Sequence, residues 1–187
     1  MDKKIRIHSR NISIDCFEVG DDLMLLEGSL GDDRLFPSYY HAIGEHHNPE
    51  ILHHITLSMT ISLPGLVITS VKAEMPTIPN EECFEVKEIA GKLVGLRIKH
   101  GFTKNVRNIM GGTSGCIHLT NLVLAMGSTA VQGFASYCTR VREDNNNKLP
   151  DFDASVFINS CRLWRADGLF VTKIKEFSKH KYGGTKN

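Results

Sequence analysis

Residues 55–74 read ITLSMTISLPGLVITSVKAE, two apolar–polar alternations separated by a Pro64-Gly65 pair. An alternation with a period of two is typical of a strand that buries one face. A Pro-Gly pair between two such runs is typical of a turn. The stretch therefore predicts two consecutive antiparallel strands with a tight connection.

The same alternation continues towards the N-terminus. It predicts a first strand from residue 5 to 16 and a second from 23 to 30, closed by a Gly31-Asp32-Asp33 turn. Residues 34–49 are rich in aromatic and histidine side chains without a period, which indicates a long loop. Four strands joined by turns predict an antiparallel sheet across residues 5–75.

The period changes after Pro79. Asn80 and two acidic residues are typical of a helix start, and apolar residues then recur at helical spacing. Strands first and helices second is the α+β pattern. We expect an antiparallel sheet of about four strands in the N-terminal half, covered on one face by the helices of residues 81–140.

Three local signals set the expected helix ends. Thr103 is placed to cap a short helix, and Thr113 or Ser114 to cap a long helix that follows. Asp167-Gly168 between apolar runs predicts a hairpin. A helix ending near Arg165 is the alternative for that segment.

Composition restricts the class of protein. The chain has 187 residues, 41% hydrophobic and 23% charged, with a formal charge of +1. We expect one domain over residues 1–178 and a flexible basic tail over 179–187.

The low net charge argues against nucleic acid as a partner, and the apolar runs are too short to span a membrane. Five dispersed cysteines without a CxxC pair or a secretory leader indicate a reduced, cytoplasmic protein.

The most informative segment is MGGTSGCIHL, residues 110–119, in which three glycines precede Cys116 at the start of a long helix. Helix N-termini favour thiolates, as nucleophile or ligand, and the N–H groups near Gly112 and Gly115 could hold an anion. The alternative is an inert cysteine in a glycine-rich connection. On a regular helix Cys116 and His118 would point about 200° apart. They can converge only if Cys116 lies at or before the helix cap.

Cys161 is a second candidate because two thiolates, an imidazole and a carboxylate would suit zinc or iron. Cys116, His118, Cys161 and Asp32 are the candidate ligands, and their convergence cannot be predicted from local sequence. The alternatives are that Cys161 lies in the core and that Asp32 is a turn residue.

Histidines near the sheet provide other candidates. His8 and Arg10 are two residues apart on the first strand, so both point to one face and could bind a carboxylate or a phosphate. His53, at the start of the third strand, joins His8 as a candidate general acid–base residue. A polar sheet face is the alternative interpretation of the His8–Arg10 pair.

Taken in order, these residues resemble the bacterial domain-of-unknown-function family DUF2889. The matching positions are His8-x-Arg10, Glu27-Gly28-x-Leu30-x-Asp32, His53, Leu93-Val94-Gly95, Gly101-Phe102, Gly112-x-x-Gly115-Cys116-x-His118-Leu119, Gln132, Asn159-x-Cys161 and Asp167-Gly168. The resemblance implies a bacterial cytoplasmic protein and no known activity.

The architecture is also similar to the iron–sulphur scaffold and sulphur-acceptor fold. That likeness implies neighbouring positions for Asp32, Cys116 and Cys161. The sequence departs from the scaffold pattern because the Asp32 segment has no cysteine and Cys161 has no adjacent histidine. The likeness is one of fold only.

Three functional hypotheses follow, and whether the protein is an enzyme stays open. The first is a Cys/His site that handles a metal or sulphur. The second is an enzyme acting on a small organic acid or acyl compound, with Arg10 holding the carboxylate and His8 or His53 as acid–base. The third is a non-catalytic binding or accessory domain. The expected partner is a small molecule or a metal ion, and the oligomeric state is undetermined.

Overall fold

The structure is a computed structural model that describes residues 4–140, 155 and 157–182, with side chains described as far as residue 176. The chain divides into two compact units, Met1–Tyr137 and Cys138–Asn187. Among the described residues, none of the helices combines the length and apolarity that crossing a bilayer requires.

The first unit is built on a four-stranded antiparallel sheet with strand order β1-β2-β5-β6. A separate two-stranded hairpin is formed by β3 and β4. The strands are β1 His8–Gly20, β2 Leu23–Arg34, β3 Ser38–Tyr40, β4 Glu45–His47, β5 Glu50–Ser62 and β6 Val67–Thr77. The predicted α+β class and four-stranded sheet are confirmed.

Two details of the predicted sheet are wrong. Strand β2 continues through Gly31-Asp32-Asp33 to Arg34, because it is paired there with β1 on one side and β5 on the other. Ladder hydrogen bonds on both edges outweigh the local turn preference of Gly-Asp-Asp. The segment 34–49 is not a plain loop, since it contains the β3–β4 hairpin.

Helices follow the sheet as predicted. A 3-10 helix spans Glu81–Leu93, and Asn80 Oδ1 accepts a hydrogen bond from the Glu82 N–H at 2.9 Å. The α-helices are α1 Phe102–Met110, α2 Ile117–Thr139 and α3 Leu169–Tyr182. The start at Asn80 is confirmed.

The expected caps of α1 and α2 are wrong. The carbonyl of Gly101, at φ 90°, accepts the first α1 hydrogen bond, so Thr103 lies inside the helix. Thr113 and Ser114 lie in a short 3-10 turn, and the first α2 bond runs from the Thr120 N–H to the Cys116 carbonyl at 2.9 Å. The 3-10 turn in the glycine-rich connection therefore places the helix start two or three residues later than expected.

Helix α2 packs on the sheet over β1 and β2. A Cβ added at Gly28 would lie 2.8 Å from Met126 Sδ, and one added at Gly133 would overlap Cys16 Sγ. Because glycine has no side chain, the helix and the sheet can approach each other closely at these two positions. Fully buried apolar residues from both layers form the core, among them Leu26, Leu30, Leu57, Met59, Leu119, Leu122, Val123 and Met126.

In the second unit, Phe157 stacks on Trp164 with ring centroids 4.9 Å apart. The predicted hairpin at Asp167-Gly168 is wrong. This segment forms turns, and the Gly168 carbonyl accepts the first bond of α3 from Thr172. The Asp-Gly pair precedes a helix because its turn geometry serves a helix start as well as a hairpin.

Two segments near the C-terminus lie outside the residues that the structure describes. The polar sequence of residues 143–150 predicts a loop. That segment and residues 183–187 of the expected tail are not among the described residues, whereas 179–182 belong to α3. The extent of the single domain and the flexibility of the tail stay predictions.

Candidate functional site

The sheet register places Asp32 between two other candidate residues. Asp32 pairs with Arg10 across β1–β2 and with His53 across β2–β5. Residues opposite one another on neighbouring strands point to the same face of a sheet. That face also carries the buried Leu30 and is covered by α2. Asp32 itself is buried, with 1% of its side chain exposed.

Arg10 holds Asp32 in a bidentate ion pair. Its Nε donates to Oδ1 and its Nη2 to Oδ2, both at 2.6 Å. These hydrogen bonds, assisted by the charge of Arg10 and opposed by burial, lower the pKa of Asp32 to about 2. They also raise the pKa of Arg10. Asp32 is therefore a carboxylate throughout the neutral pH range.

Three histidines surround the same carboxylate. His8 Nε2 lies 3.4 Å from Oδ1, while His53 Nδ1 and His118 Nε2 lie 3.2 and 3.4 Å from Oδ2. The rings of His53 and His118 stack with centroids 3.8 Å apart and planes inclined by 29°. The stacked pair is mostly buried, with 14% and 19% of the side chains exposed, whereas His8 is 46% exposed.

Burial favours the neutral form of the two stacked histidines. Desolvation is the main reason that the pKa of His118 is lowered; repulsion by Arg10, and by His53 whenever that ring is protonated, lowers it further, and Asp32 opposes the shift. Desolvation likewise lowers the pKa of His53, against the opposing effect of Asp32. A neutral imidazole has one free lone pair, so each ring can accept a proton or ligate a metal ion.

Cys116 adds a thiol to this group. Its Sγ lies 3.5 Å from His118 Nδ1. The two side chains converge because Cys116 immediately precedes α2 and is therefore not bound by the 200° separation of a regular helix. The connection before it is fixed by the buried Thr120 hydroxyl, which donates to the Met110 carbonyl at 2.7 Å. At Gly115 an added Cβ would overlap the same carbonyl.

The contacts form a continuous series from Cys116 Sγ through both nitrogens of His118 to Asp32 and then Arg10. A thiol, an imidazole and a carboxylate in this order can perform nucleophilic catalysis. In addition, one nitrogen or oxygen atom each of Asp32, His53 and His118 lies within 4.8 Å of the others, a separation that a metal ion can bridge.

The structure thus brings together six of the candidate residues. His8 and Arg10 come from β1, Asp32 from β2, His53 from β5, and Cys116 and His118 from the start of α2. Gly112, at φ 59°, and Gly115 lie in the connection before Cys116. The anion-binding role of these glycines stays a prediction.

Cys161 belongs to the second unit, where its thiol is exposed. Hydrogen bonds from the backbone of Trp164 and Leu163 lower the pKa of Cys161. Its convergence with Cys116, and hence the ligand set that includes both thiols, stays a prediction.

The central position of Asp32 was not predicted from the sequence. Counting back from the Gly20–Leu23 pair at the β1–β2 turn would place Arg10 opposite Asp33, but a register shift between Glu18 and Gly20 places it opposite Asp32. The turn expected at residues 31–33 also excluded Asp32 from the predicted strand.

The sequence model of one protein family, described as "Protein of unknown function (DUF2889)", matches residues 8–132 of this chain. The match covers 125 of the 187 residues and includes all six clustered side chains. The searches of curated proteins and of solved structures returned no match.

Proposed function

The chain belongs to the DUF2889 family, and we propose that it is a thiol-dependent enzyme acting on the carbonyl group of an acyl compound. Cys116 is the nucleophile, His118 its base and Asp32 the positioning residue behind His118. The observation that carries this proposal is the series of contacts from Cys116 Sγ to His118 Nδ1 at 3.5 Å and from His118 Nε2 to Asp32 Oδ2 at 3.4 Å. Nucleophile, base and orienting carboxylate have this order in cysteine and serine hydrolases.

The reaction begins when His118 Nδ1 accepts the Cys116 thiol proton. The sulphur then forms a bond to the carbonyl carbon, and the carbonyl π pair moves onto oxygen. When that pair returns, the leaving group departs with the proton from His118. Water, deprotonated by His118, then adds to the thioester carbonyl carbon. The C–S bond breaks as the carbonyl re-forms, so the acyl group leaves as an acid and the Cys116 sulphur takes the proton back from His118. Asp32 stabilises the imidazolium that exists between these steps, because its charge lies at the opposite ring nitrogen.

The surrounding residues support these roles. The stack of His53 on His118 restrains the imidazole plane, and the ion pair with Arg10 restrains Asp32. The first N–H groups of α2 lack carbonyl partners within the helix, so they can stabilise the oxyanion. Arg10 is 38% exposed and its Nη1 is outside the pair with Asp32, so it can also bind a substrate carboxylate.

Site-resolved alkylation tests the proposal. We expect limiting iodoacetamide at neutral pH to modify Cys116 of the folded protein, and His118→Ala to slow that reaction at least tenfold. Cys161 provides an internal control because it is exposed and belongs to the other unit, so its labelling should be equal in both proteins. A rate at Cys116 that is unchanged in His118→Ala, or labelling only after unfolding, contradicts the proposal.

A second measurement tests the acyl step itself. With p-nitrophenyl acetate as the probe, we expect a burst of about one equivalent of nitrophenolate and an acetyl group on Cys116 by mass spectrometry. Cys116→Ala should abolish the burst, whereas Cys83→Ala, a matched control on the 3-10 helix, should retain it. A burst that persists in Cys116→Ala assigns the chemistry to another residue.

A further inference from the structure

We propose that His53, His118 and Asp32 also form a binding site for one divalent metal ion of the zinc or ferrous type, and that metal binding switches off the base function of His118. The ligand atoms are His53 Nδ1, His118 Nε2 and Asp32 Oδ2. The metal site shares two residues with the proposed catalytic group, but it is based on separate observations and does not require Cys116 to be reactive.

The first observation is the spacing of the ligand atoms. Bonds of about 2.0–2.2 Å place two ligands of a tetrahedral ion about 3.3–3.6 Å apart. The two histidine nitrogens lie 3.2 and 3.4 Å from Asp32 Oδ2, close to that separation, and ligand atoms of all three residues lie within 4.8 Å of one another. The stacked rings must open for both lone pairs to reach one ion. Ordinary N–H···O hydrogen bonds are about 2.7–3.2 Å long, so the His118 separation exceeds that range and the His53 separation lies at its upper end.

The second observation is that His53 Nδ1 is not satisfied. It is buried and has no hydrogen-bond partner among the described residues, because its position near Asp32 does not give hydrogen-bond geometry. A buried polar atom without a partner costs free energy, which a ligand can recover. A metal ion beside Oδ2 would satisfy this nitrogen.

The set of donors fits the chemistry of such ions. Two imidazoles and one carboxylate suit Zn²⁺ and Fe²⁺, and they leave coordination positions of the ion free for water or substrate. The ligands come from paired strands and the first turn of a helix, so they are held on rigid elements. Arg10 occupies one side of the carboxylate and its charge repels a cation. We therefore expect weaker, reversible binding than at a structural zinc site.

Metal binding and base catalysis exclude each other through the tautomer of His118. An imidazole that gives its Nε2 lone pair to a metal ion carries its proton on Nδ1. Nδ1 is the atom that faces Cys116 Sγ. It then donates a hydrogen bond to sulphur and has no lone pair to accept the thiol proton. The ion would therefore act as an inhibitor of the thiol chemistry.

Calorimetric titration of chelator-treated full-length protein with Zn²⁺ tests the site, and Co²⁺ absorption reports its geometry. We expect one equivalent to bind. His53→Ala and His118→Ala should each weaken binding at least about 100-fold, since loss of an outer-shell partner alone costs 10–100-fold. His54→Ala is the matched control because His54 is the next residue on β5 and is exposed on the opposite sheet face.

The two proposals fail separately. Cys116→Ala should bind Zn²⁺ as the wild type does, because the thiol is not one of the three ligands. Saturating Zn²⁺ should slow Cys116 alkylation in the wild type but not in His53→Ala. Binding that is absent, or equal in the wild type and His53→Ala, overturns the metal site, whatever the reactivity of Cys116. Alkylation that Zn²⁺ leaves unchanged overturns the inhibitory coupling.

Discussion

Replacing Asp32 by asparagine should destabilise the protein by about 2 kcal/mol at neutral pH. The carboxylate is buried and receives both hydrogen bonds of the Arg10 pair, and an asparagine of the same shape retains neither the charge nor both acceptor oxygens. The loss should stay below the 3–5 kcal/mol found for fully buried pairs, because Arg10 is partly exposed and water can solvate its charge.

The magnitude follows from the pKa of Asp32. A decrease from 3.8 to about 2 corresponds to about 2.4 kcal/mol, since each pKa unit is worth about 1.36 kcal/mol. Because the pKa is lower in the folded protein, this stabilisation is fully present above about pH 5. It is lost as the pH falls towards 2, and about half of it should be gone at pH 3.

Urea denaturation followed by circular dichroism at pH 7, 4.5 and 3 measures this contribution. The wild type and Asp32→Asn should differ by about 2 kcal/mol at pH 7 and by about half as much at pH 3. Asp21→Asn, a change at an exposed carboxylate in the β1–β2 turn, is the matched control and should remain near the wild type. The reasoning is refuted if Asp32→Asn lowers the free energy of unfolding by less than about 0.5 kcal/mol at pH 7. It is also refuted if the loss is the same at pH 7 and pH 3.

Three further changes have expected outcomes. Gly115→Ala should slow Cys116 alkylation and lower stability, because its Cβ would overlap the Met110 carbonyl; labelling by mass spectrometry checks this. Gly133→Ala should cost about 1–3 kcal/mol by overpacking against Cys16, and Cys16→Ala in the same chain should recover part of that loss in a thermal melt. Thr120→Val should cost about 1–3 kcal/mol in urea denaturation, since it leaves the buried Met110 carbonyl without its hydroxyl donor.

The sheet could be predicted from the sequence because a half-buried strand alternates apolar and polar residues with a period of two, and this alternation is visible in the sequence. Ile55, Leu57, Met59 and Ile61 are all fully buried, as their alternation indicates. The fold class followed from the change of period after Pro79. Helix ends were less predictable, since Thr103, Thr113 and Ser114 all have capping side chains and only backbone geometry selects among the possible starts.

The site was predictable as a set of residues rather than as an arrangement. The pattern singled out His8, Arg10, Asp32, His53 and the Cys116–His118 pair individually. Asp32 was nonetheless placed in a turn because Gly-Asp-Asp has strong local turn chemistry, whereas its real environment is made by two neighbouring strands. Such contacts depend on register and on how α2 lies on the sheet, and neither is encoded within a short window of sequence.

The close approach of Gly133 to Cys16 has a mechanical consequence for the other end of α2. Met126, which lies against Gly28, is about 10 Å along α2 from Gly133 and about 14 Å from Ile117, at about 1.5 Å per residue. A rigid tilt of α2 about this contact that raises the Gly133 end by about 1 Å would move the opposite end, with Cys116 and His118, towards the sheet by a similar amount. Displacements of this size alter enzymatic rates by as much as about 100-fold. A larger side chain at Gly133, several helical turns from Cys116, should thus change the reactivity of the Cys116 thiol by shifting the start of α2.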